Sequence, residues 1–351
     1  MGKGIILFLI LFLFFCSKKS EHSFNPKPSE FNFFSQEYSL IFVGDIMLGR
    51  NVGTWMEKKG WIYPFKETKE ILSEADLTIG NLESPISNFG KKINKIYTFR
   101  ANPKAIEGLK LAGFDILTLA NNHISDYGWP ALKETIKILK ENRIRPLGAG
   151  KNKEEALKPV IISLGNLKIT FLGFNEIGTN CAKRNSPGTA CAKESEIIQM
   201  IKKSKENSNL VVINFHWGEE FTNFPTLNQI EFAHNCIDSG ADLVMGHHPH
   251  ILQGIEIYKG KLIAYSLGNF VFDQNDWVAK VSIILKAIFR DDKIVSIEIV
   301  PIEELTFPRA TNIAQGKTAF KILNRVSFLS SPFKTDILLF CERGFIFPKA
   351  W

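Results

Sequence analysis

Five short polar segments, each beginning where an apolar run gives out, constrain this chain more than any other feature. They read Gly44-Asp45-Ile46-Met47, Gly80-Asn81-Leu82-Glu83, Asn121-Asn122-His123-Ile124-Ser125-Asp126, His216-Trp217-Gly218-Glu219 and Gly246-His247-His248-Pro249-His250. The runs before them, Leu40–Val43, Asp76–Ile79, Ile116–Leu119, Leu210–Phe215 and Leu243–Met245, read as strands. In an α/β sheet the carboxyl ends of parallel strands share an edge, and ligands bind in the crevice there. Five of the seven histidines fall in these segments beside Asp, Asn and Glu. Gathered at one edge, such groups are hard-to-intermediate ligands that suit Mn, Fe, Zn or Mg. The competing reading, separate strand-terminating turns, leaves that gathering without a cause.

At 351 residues and 45% hydrophobic, the chain can bury a large core. Residues 1–16 are expected to stand outside it. Lys3 precedes the apolar run Ile5–Phe15, which is too short to span a bilayer but has the length of a signal-peptide core. Leu13-Phe14-Phe15-Cys16 looks like a bacterial lipobox, with Phe15 in place of the usual small residue. Cys16 is therefore expected to be lipidated, and an uncleaved N-terminal anchor is the alternative. Either way the chain is expected to be an exported, membrane-anchored protein of the bacterial cell envelope. Lys18 and Lys19 would add attraction to the membrane surface. Residues 17–36 are polar, carry Pro26 and Pro28 and read as a tether.

The formal charge of +7 is spread along the chain, with mild clusters at Lys91-Lys92, Lys95 and Lys202-Lys203. An anionic polymer or lipid surface fits this charge as well as nucleic acid does, and the aromatic–basic interleaving expected of nucleic-acid binding is missing, so no nucleic-acid partner is expected. Cys181 and Cys191 bracket a turn-rich loop and are expected to form a disulfide in an oxidising compartment.

From Tyr38 onward strands and helices alternate. Helices are expected near Pro64–Ser73 and over Pro103–Ala112 (with Asn102 as N-cap), Pro130–Asn142, Lys193–Glu206 and Thr226–Ser239. Val160–Leu164 and Lys168–Phe174 flank Gly165-Asn166 as a hairpin. After His250 the pattern turns to strands, with a closing helix at Thr318–Phe328 and no assignment for the last twenty residues. The expectation is one α/β domain over 37–351, a sandwich of two mixed β-sheets flanked by helices, with 277–351 as its β-rich extension.

The motifs taken together resemble the bacterial capsule-synthesis protein CapA family, which has a calcineurin-like metallophosphoesterase fold. They are Gly44-Asp45-Ile46-Met47-Leu48-Gly49-Arg50, Asn81-Leu82-Glu83, Asn121-Asn122-His123 with Asp126 and Gly128, His216-Trp217-Gly218, Gly246-His247-His248-Pro249-His250 and Tyr265-Ser266-Leu267-Gly268-Asn269-Phe270. The resemblance implies a role in the synthesis or export of poly-γ-glutamate or another surface polymer, with the polymer or its synthase complex as partner. It also implies one or two divalent ions. Asp45, Glu83, Asn122, His216, His248 and His250 are the expected ligands. His123, with Asp126, is the expected proton donor, and Arg50, Arg100, His247 and Asn269 are the expected substrate contacts.

Two departures from the wider phosphoesterase pattern bear on the chemistry. Met47 stands where Asp-x-His would place a histidine, and a thioether is a poor ligand for hard ions. Asn81 stands where an aspartate would bridge two metals, and Glu83 can return the lost charge to the same edge. The two readings are a metal-dependent hydrolase of a phosphoester or of a polymer amide or ester, and a non-catalytic assembly factor that holds an anionic polymer near its synthase.

Overall fold

Alternating apolar residues build two β-sheets that face one another across a shared core. The computed structural model describes residues 36–304 and 310–348. The expected signal segment, Cys16 and all but the last residue of the expected tether lie outside the described residues. In chain order the strands are β1 (Glu37–Ile46), β2 (Leu77–Leu82), β3 (Ile116–Thr118), β4 (Arg145–Leu147), β5 (Ala149–Gly150), β6 (Val160–Leu164), β7 (Leu167–Asn175), β8 (Gly188–Thr189) and β9 (Leu210–His216). They continue with β10 (Leu243–His247), β11 (Ile255–Tyr258), β12 (Lys261–Ala264), β13 (Asn269–Val271), β14 (Val281–Arg290), β15 (Lys293–Glu304), β16 (Thr311–Ile313), β17 (Leu338–Phe340) and β18 (Arg343–Ile346).

The first sheet runs β17-β18-β15-β14-β1-β2-β3-β4, with β13 beside β1 and β16 beside β15. The second runs β11-β12-β10-β9-β7-β6. Both are mixed: β1 through β4 are parallel, as are β7, β9, β10 and β12, while β14 joins β1 antiparallel. Strand periodicity explains the layering. Leu40 and Phe42 of β1 point into the inter-sheet core with Ile79, Ile169, Phe171, Val212 and Met245. Their neighbours Ile41 and Val43 point outward onto Val52, Met56, Leu109 and Leu132, which lie on covering helices. On β9, Val212 faces inward while Val211, Ile213 and Phe215 meet Ile197, Ile201 and Phe232 of the helices on the other side. Covered on both faces, these strands read as nearly unbroken apolar runs.

The helices Gly128–Glu141, Glu194–Lys205 and Leu227–Asp238 fall within a residue or two of their expected places, and Thr226 closes a capping box with Gln229. Two expectations are corrected. The helix expected to begin at Pro103 spans Ala105–Leu111, because the Asn102 side chain accepts from Lys104 N at 3.0 Å and caps a turn that precedes it. The one expected at Pro64–Ser73 is split into a 3₁₀ turn, Tyr63–Phe65, and a short helix, Lys69–Ser73. An additional helix, Arg50–Lys59, follows the first polar segment. The unassigned C-terminal residues supply the hairpin β17–β18. Residues beyond 277 are integral to the first sheet, since β14 is the direct neighbour of β1.

Gly44 and Gly246 permit the close approach that brings the strand ends together. A Cβ at Gly44 would lie 1.9 Å from Gly268 O, and one at Gly246 would lie 1.9 Å from Tyr265 O. Both obstacles are backbone and cannot swing aside. Gly44→Ala and Gly246→Ala are each expected to destabilise the fold by about 3 kcal/mol, the upper range of overpacking costs. Chemical denaturation of each variant checks this; a midpoint within error of the parent refutes it.

Candidate metal centre

The polar segments converge because the carboxyl ends of β1–β3 in one sheet lie against those of β9 and β10 in the other. Asp45 stands opposite Asn81 in the parallel β1–β2 pair, just past a register shift that falls between Phe42 and Asp45. Such an irregularity re-aims a side chain. Asn81 and Glu83 are two residues apart and share a face. His216, the last residue of β9, pairs with His247, the last of β10. His248 and His250 follow with φ of 98° and 60°. A buried non-glycine residue in the left-handed region carries strain, which marks functional sites more often than ordinary turns.

The cluster is tight. Asn81 Nδ2 donates to Asp45 Oδ1 at 2.8 Å and lies 3.4 Å from His216 Nδ1. His216 Nε2 lies 3.1 Å from Asn122 Oδ1 and 3.8 Å from Glu83 Oε1. His250 Nε2 is 3.8 Å from that same Glu83 oxygen, and its Nδ1 is 3.3 Å from Asp45 Oδ2. His247 Nδ1 is 3.3 Å from Asp45 Oδ1. These distances link five of the expected ligands, the His248 ring lies 4.8 Å from that of His216, and His247 lies among them. Asn121 locks the arrangement: its Nδ2 donates to Asn81 Oδ1 and Leu82 O, and its Oδ1 accepts from His123 N and Ile124 N.

His123 sits beside the cluster with Nδ1 2.7 Å from Asp126 Oδ2, which also accepts from Phe99 N. The Phe99 ring lies 4.1 Å from the imidazole of His123. Lys95 Nζ donates to Asn122 O at 3.0 Å and lies 3.2 Å from His123 Nδ1.

The residues fit a divalent cation. Both carboxylate oxygens of Glu83 and Nδ1 of His248 are buried without a hydrogen-bond partner. The donor atoms of Glu83, His216 and His248 lie within 4.8 Å of one another, and so do those of Asp45, Glu83 and His250. Donors each about 2.0–2.3 Å from one ion are spaced this way. Glu220 forms a third such group with His248 and His250 from an exposed position.

Burial raises the Glu83 carboxyl well above the usual range, and the neighbouring Asp45 charge adds to the effect. Burial would also raise Asp45, but His247 and His250 hold it well below the usual carboxylate range. Burial and the neighbouring imidazoles keep His216 well down and bring His248 to about 3. Burial would lower His250 too, yet Glu83 and Asp45 lift it to about 9. Burial lowers His123 against the pull of Asp126.

The expected substrate contacts separate. Arg50 is paired with Asp273 at 3.2 Å, its guanidinium 5.5 Å from the centre of the Phe99 ring. Arg100 stacks on Tyr127 at 4.2 Å. Asn269 lies behind His250: its Oδ1 lies 2.9 Å from His250 Nδ1 and its Nδ2 donates to Ala279 O and Gln274 Oε1. Its amide is spent inside the protein, orienting His250. Met47 is fully buried, and its sulfur accepts from Gly49 N. Cys181 and Cys191 are joined by a disulfide. Sequence reasoning missed Lys95 and Glu220, which stand in segments without period; for Glu220, its place four residues after His216 was the available signal.

The family model for the bacterial capsule synthesis protein PGA_cap matches residues 39–274, a span that contains every residue of this cluster. The chain belongs to that family. The capsule biosynthesis protein CapA of Bacillus anthracis is 35% identical over 76% of this chain and 68% of its own length. The PGA biosynthesis protein CapA of Bacillus subtilis is 36% identical over 77% and 71%. A probable polyglutamine synthesis accessory protein of Mycobacterium tuberculosis is 27% identical over 61% of this chain and 60% of its own. Among solved structures, a phosphatase from Mycoplasma pneumoniae covers 77% of this chain and 95% of its own with a TM-score of 0.50; at 16% identity it shows the fold alone. Among the described residues of this PGA_cap member, no helix is long and apolar enough to cross a membrane.

A pH dependence follows for the metal-stripped protein. A histidine whose folded pKa is raised contributes stability that is full below its unfolded value of 6.5 and lost as pH rises through about 9. Glu83, raised as a carboxyl, acts in the same direction. The Tm of chelator-treated protein is therefore expected to fall between pH 6.5 and 9, and added Mn²⁺ to raise it at each pH. Scanning calorimetry checks this. A flat Tm across that window contradicts the assignment of His250.

Proposed function

We propose that this chain is an exported, lipid-anchored, divalent-metal-dependent hydrolase that serves the synthesis or export of a surface polymer of the poly-γ-glutamate type. The observation that carries this reading is the buried, unpartnered Glu83 carboxylate facing Asp45, His216, His248 and His250, with a His–Asp pair alongside. The names of the Bacillus relatives support the polymer class. The lipobox-like Leu13-Phe14-Phe15-Cys16 supports the anchor, and that segment lies outside the described residues.

Asp45, Glu83, Asn122, His216, His248 and His250 would hold the ion or ions, and Glu83 is common to two of the donor groups. A divalent ion, when bound, supplies Lewis-acid activation of water and of the scissile group. Asp126 fixes Nδ1 of His123 and favours the imidazolium form against burial; in that form Nε2 carries the proton that passes to the leaving group. Phe99 covers one face of that imidazole and keeps water from it.

A second reading, a non-catalytic assembly factor that holds the polymer near its membrane synthase, is favoured by one observation: the residue opposite Asp45 is the neutral Asn81. His123→Ala separates the two. In a hydrolase it keeps the metal and lowers turnover by roughly 10²–10⁴-fold, the worth of a positioned general acid. His216→Ala and His250→Ala lose metal and activity together, read by elemental analysis and by release of shorter γ-glutamyl chains. Full turnover in His123→Ala ends the proton-donor role, and metal content untouched in the other two ends the ligand set.

The anchor has its own test. Cys16→Ser is expected to move the protein out of the membrane fraction or to leave an uncleaved precursor. Unchanged mature size and membrane partitioning would count against lipidation.

A further inference from the structure

A second site lies at the open edge of the sandwich, where β4 ends the first sheet and β6 ends the second. Here a cavity of about 1120 Å³ is lined by residues of β4, by the end of the helix Gly128–Glu141 and by the segment leading into β6. Lys140, Arg143, Arg145, Lys151 and Lys158 line it, opposed by only Glu154 and Glu155. Lys151 reaches Glu155 at 4.0 Å. Among the described residues the other four cations have no carboxylate within ion-pair distance, and all five are exposed. Arg143 is set by a turn with φ of 64°, pinned by Ile144 N donating to Leu139 O. Five exposed cations against two lining carboxylates leave an excess of positive charge that favours an anionic ligand, even with Arg145 near enough to Asp115 to pull down a carboxyl that burial raises.

We propose that this groove is a binding site for a polymer of repeated carboxylates, separate from the metal centre. The proposal rests on the reading that the chain handles a polyanion of the poly-γ-glutamate type, and it assigns where the polymer is held. No aromatic side chain lines the cavity, so the base stacking that single-stranded nucleic acid uses has no platform here. Guanidinium groups take carboxylates in a two-pronged fashion, which suits Arg143 and Arg145. Each exposed pair contributes little alone. Affinity must therefore come from several carboxylates on one chain, and it rises with chain length.

The groove is also connected to the centre through hydrogen bonds. Ala149 in its wall pairs with Thr189 in the ribbon β5–β8. Thr189 N donates to Asn180 O, and Asn180 Nδ2 donates to Asn121 O, the residue that locks Asn81 and His123. The Cys181–Cys191 disulfide closes the loop that holds this ribbon. The wall of the groove and the residues around the metal ligands thus share one hydrogen-bonded ribbon.

The test uses the folded protein and fluorescently labelled poly-γ-glutamate, read by anisotropy at low and at physiological salt. The combined variant Lys140→Glu, Arg143→Glu, Arg145→Glu is expected to bind long chains roughly tenfold or more weakly. Its metal content and its cleavage of a short γ-glutamyl oligomer are expected to stay at the parent level, as is its Tm. The neutral variant with Gln at the same three positions is expected to fall between it and the parent. His216→Ala is expected to lose metal and keep polymer binding. Polymer binding by the charge-reversed variant equal to the parent overturns the proposal. So does displacement of the polymer by an equal charge of oligothymidylate, which points to nucleic acid, or vesicle binding by acidic phospholipid that the same variant abolishes, which points to a membrane surface. Binding is measured without turnover, so a parent that binds long chains but cleaves nothing supports this site while ending the hydrolase reading.

Discussion

The carboxylates of Asp45 and Glu83, both fully buried and close enough for the Asp45 charge to raise the Glu83 carboxyl, are the constraint on which the rest of the structure depends. Two such charges taken out of water cost several kcal/mol each unless something positive meets them. The protein itself meets Asp45, through His247, His250, the Asn81 amide and the backbone N–H of His248. It meets Glu83 only loosely, with His216 and His250 at 3.8 Å and no hydrogen bond at either oxygen. The mismatch falls on one side of the cluster. A cation held by Glu83 and the imidazoles would resolve it, since their donor atoms lie within 4.8 Å of one another.

The architecture around the pair serves to bring it about. Ligands at one end of a single sheet would lie in a row about 4.8 Å apart per strand. Two sheets facing each other fold that row back on itself, so β1 and β2 supply acids while β9 and β10 supply imidazoles. This close meeting demands glycine where strand ends touch, at Gly44 and Gly246, and left-handed backbone at His248 and His250. Strain at those two histidines is sustained by a fully covered core on both faces of each sheet.

Much of this was legible because strand periodicity and strand endings are local signals. The apolar runs up to Val43, Ile79, Leu119, Phe215 and Met245 announce buried strands, and the polar residue that follows each one announces an edge. What was not legible depends on partners distant in sequence. The helix Arg50–Lys59 buries only Val52 and Met56, too thin a stripe to stand out among its polar neighbours. Asn269 looks like a free amide in its turn, and only the fold reveals that His250, Gln274 and Ala279 consume it. Lys95 reaches His123 from a segment with no secondary structure of its own, so nothing in its spacing aims it there. The C-terminal hairpin is short and half-exposed, and its pairing with β15 is a tertiary fact.

Asn81 shows how such a site changes ligands without losing its logic. Its orientation is not free: Asn121 Oδ1 is fixed by two backbone donors, so Asn121 presents Nδ2, and Asn81 must answer with its carbonyl. The Asn81 Nδ2 is thereby turned toward Asp45 and His216 as a hydrogen-bond donor. A carboxylate in its place would set a second anion about 3 Å from Asp45 and would leave no donor for it. With the amide there, the charge moves two residues along the same face to Glu83, whose longer side chain reaches the space between His216 and His250. The centre keeps two carboxylates and its imidazoles, while the point of contact between the two sheets becomes a neutral, fully bonded hinge of amides. That division of labour explains how Asn81 and Glu83 stand together in Gly80-Asn81-Leu82-Glu83: one residue joins the sheets and the other carries the charge.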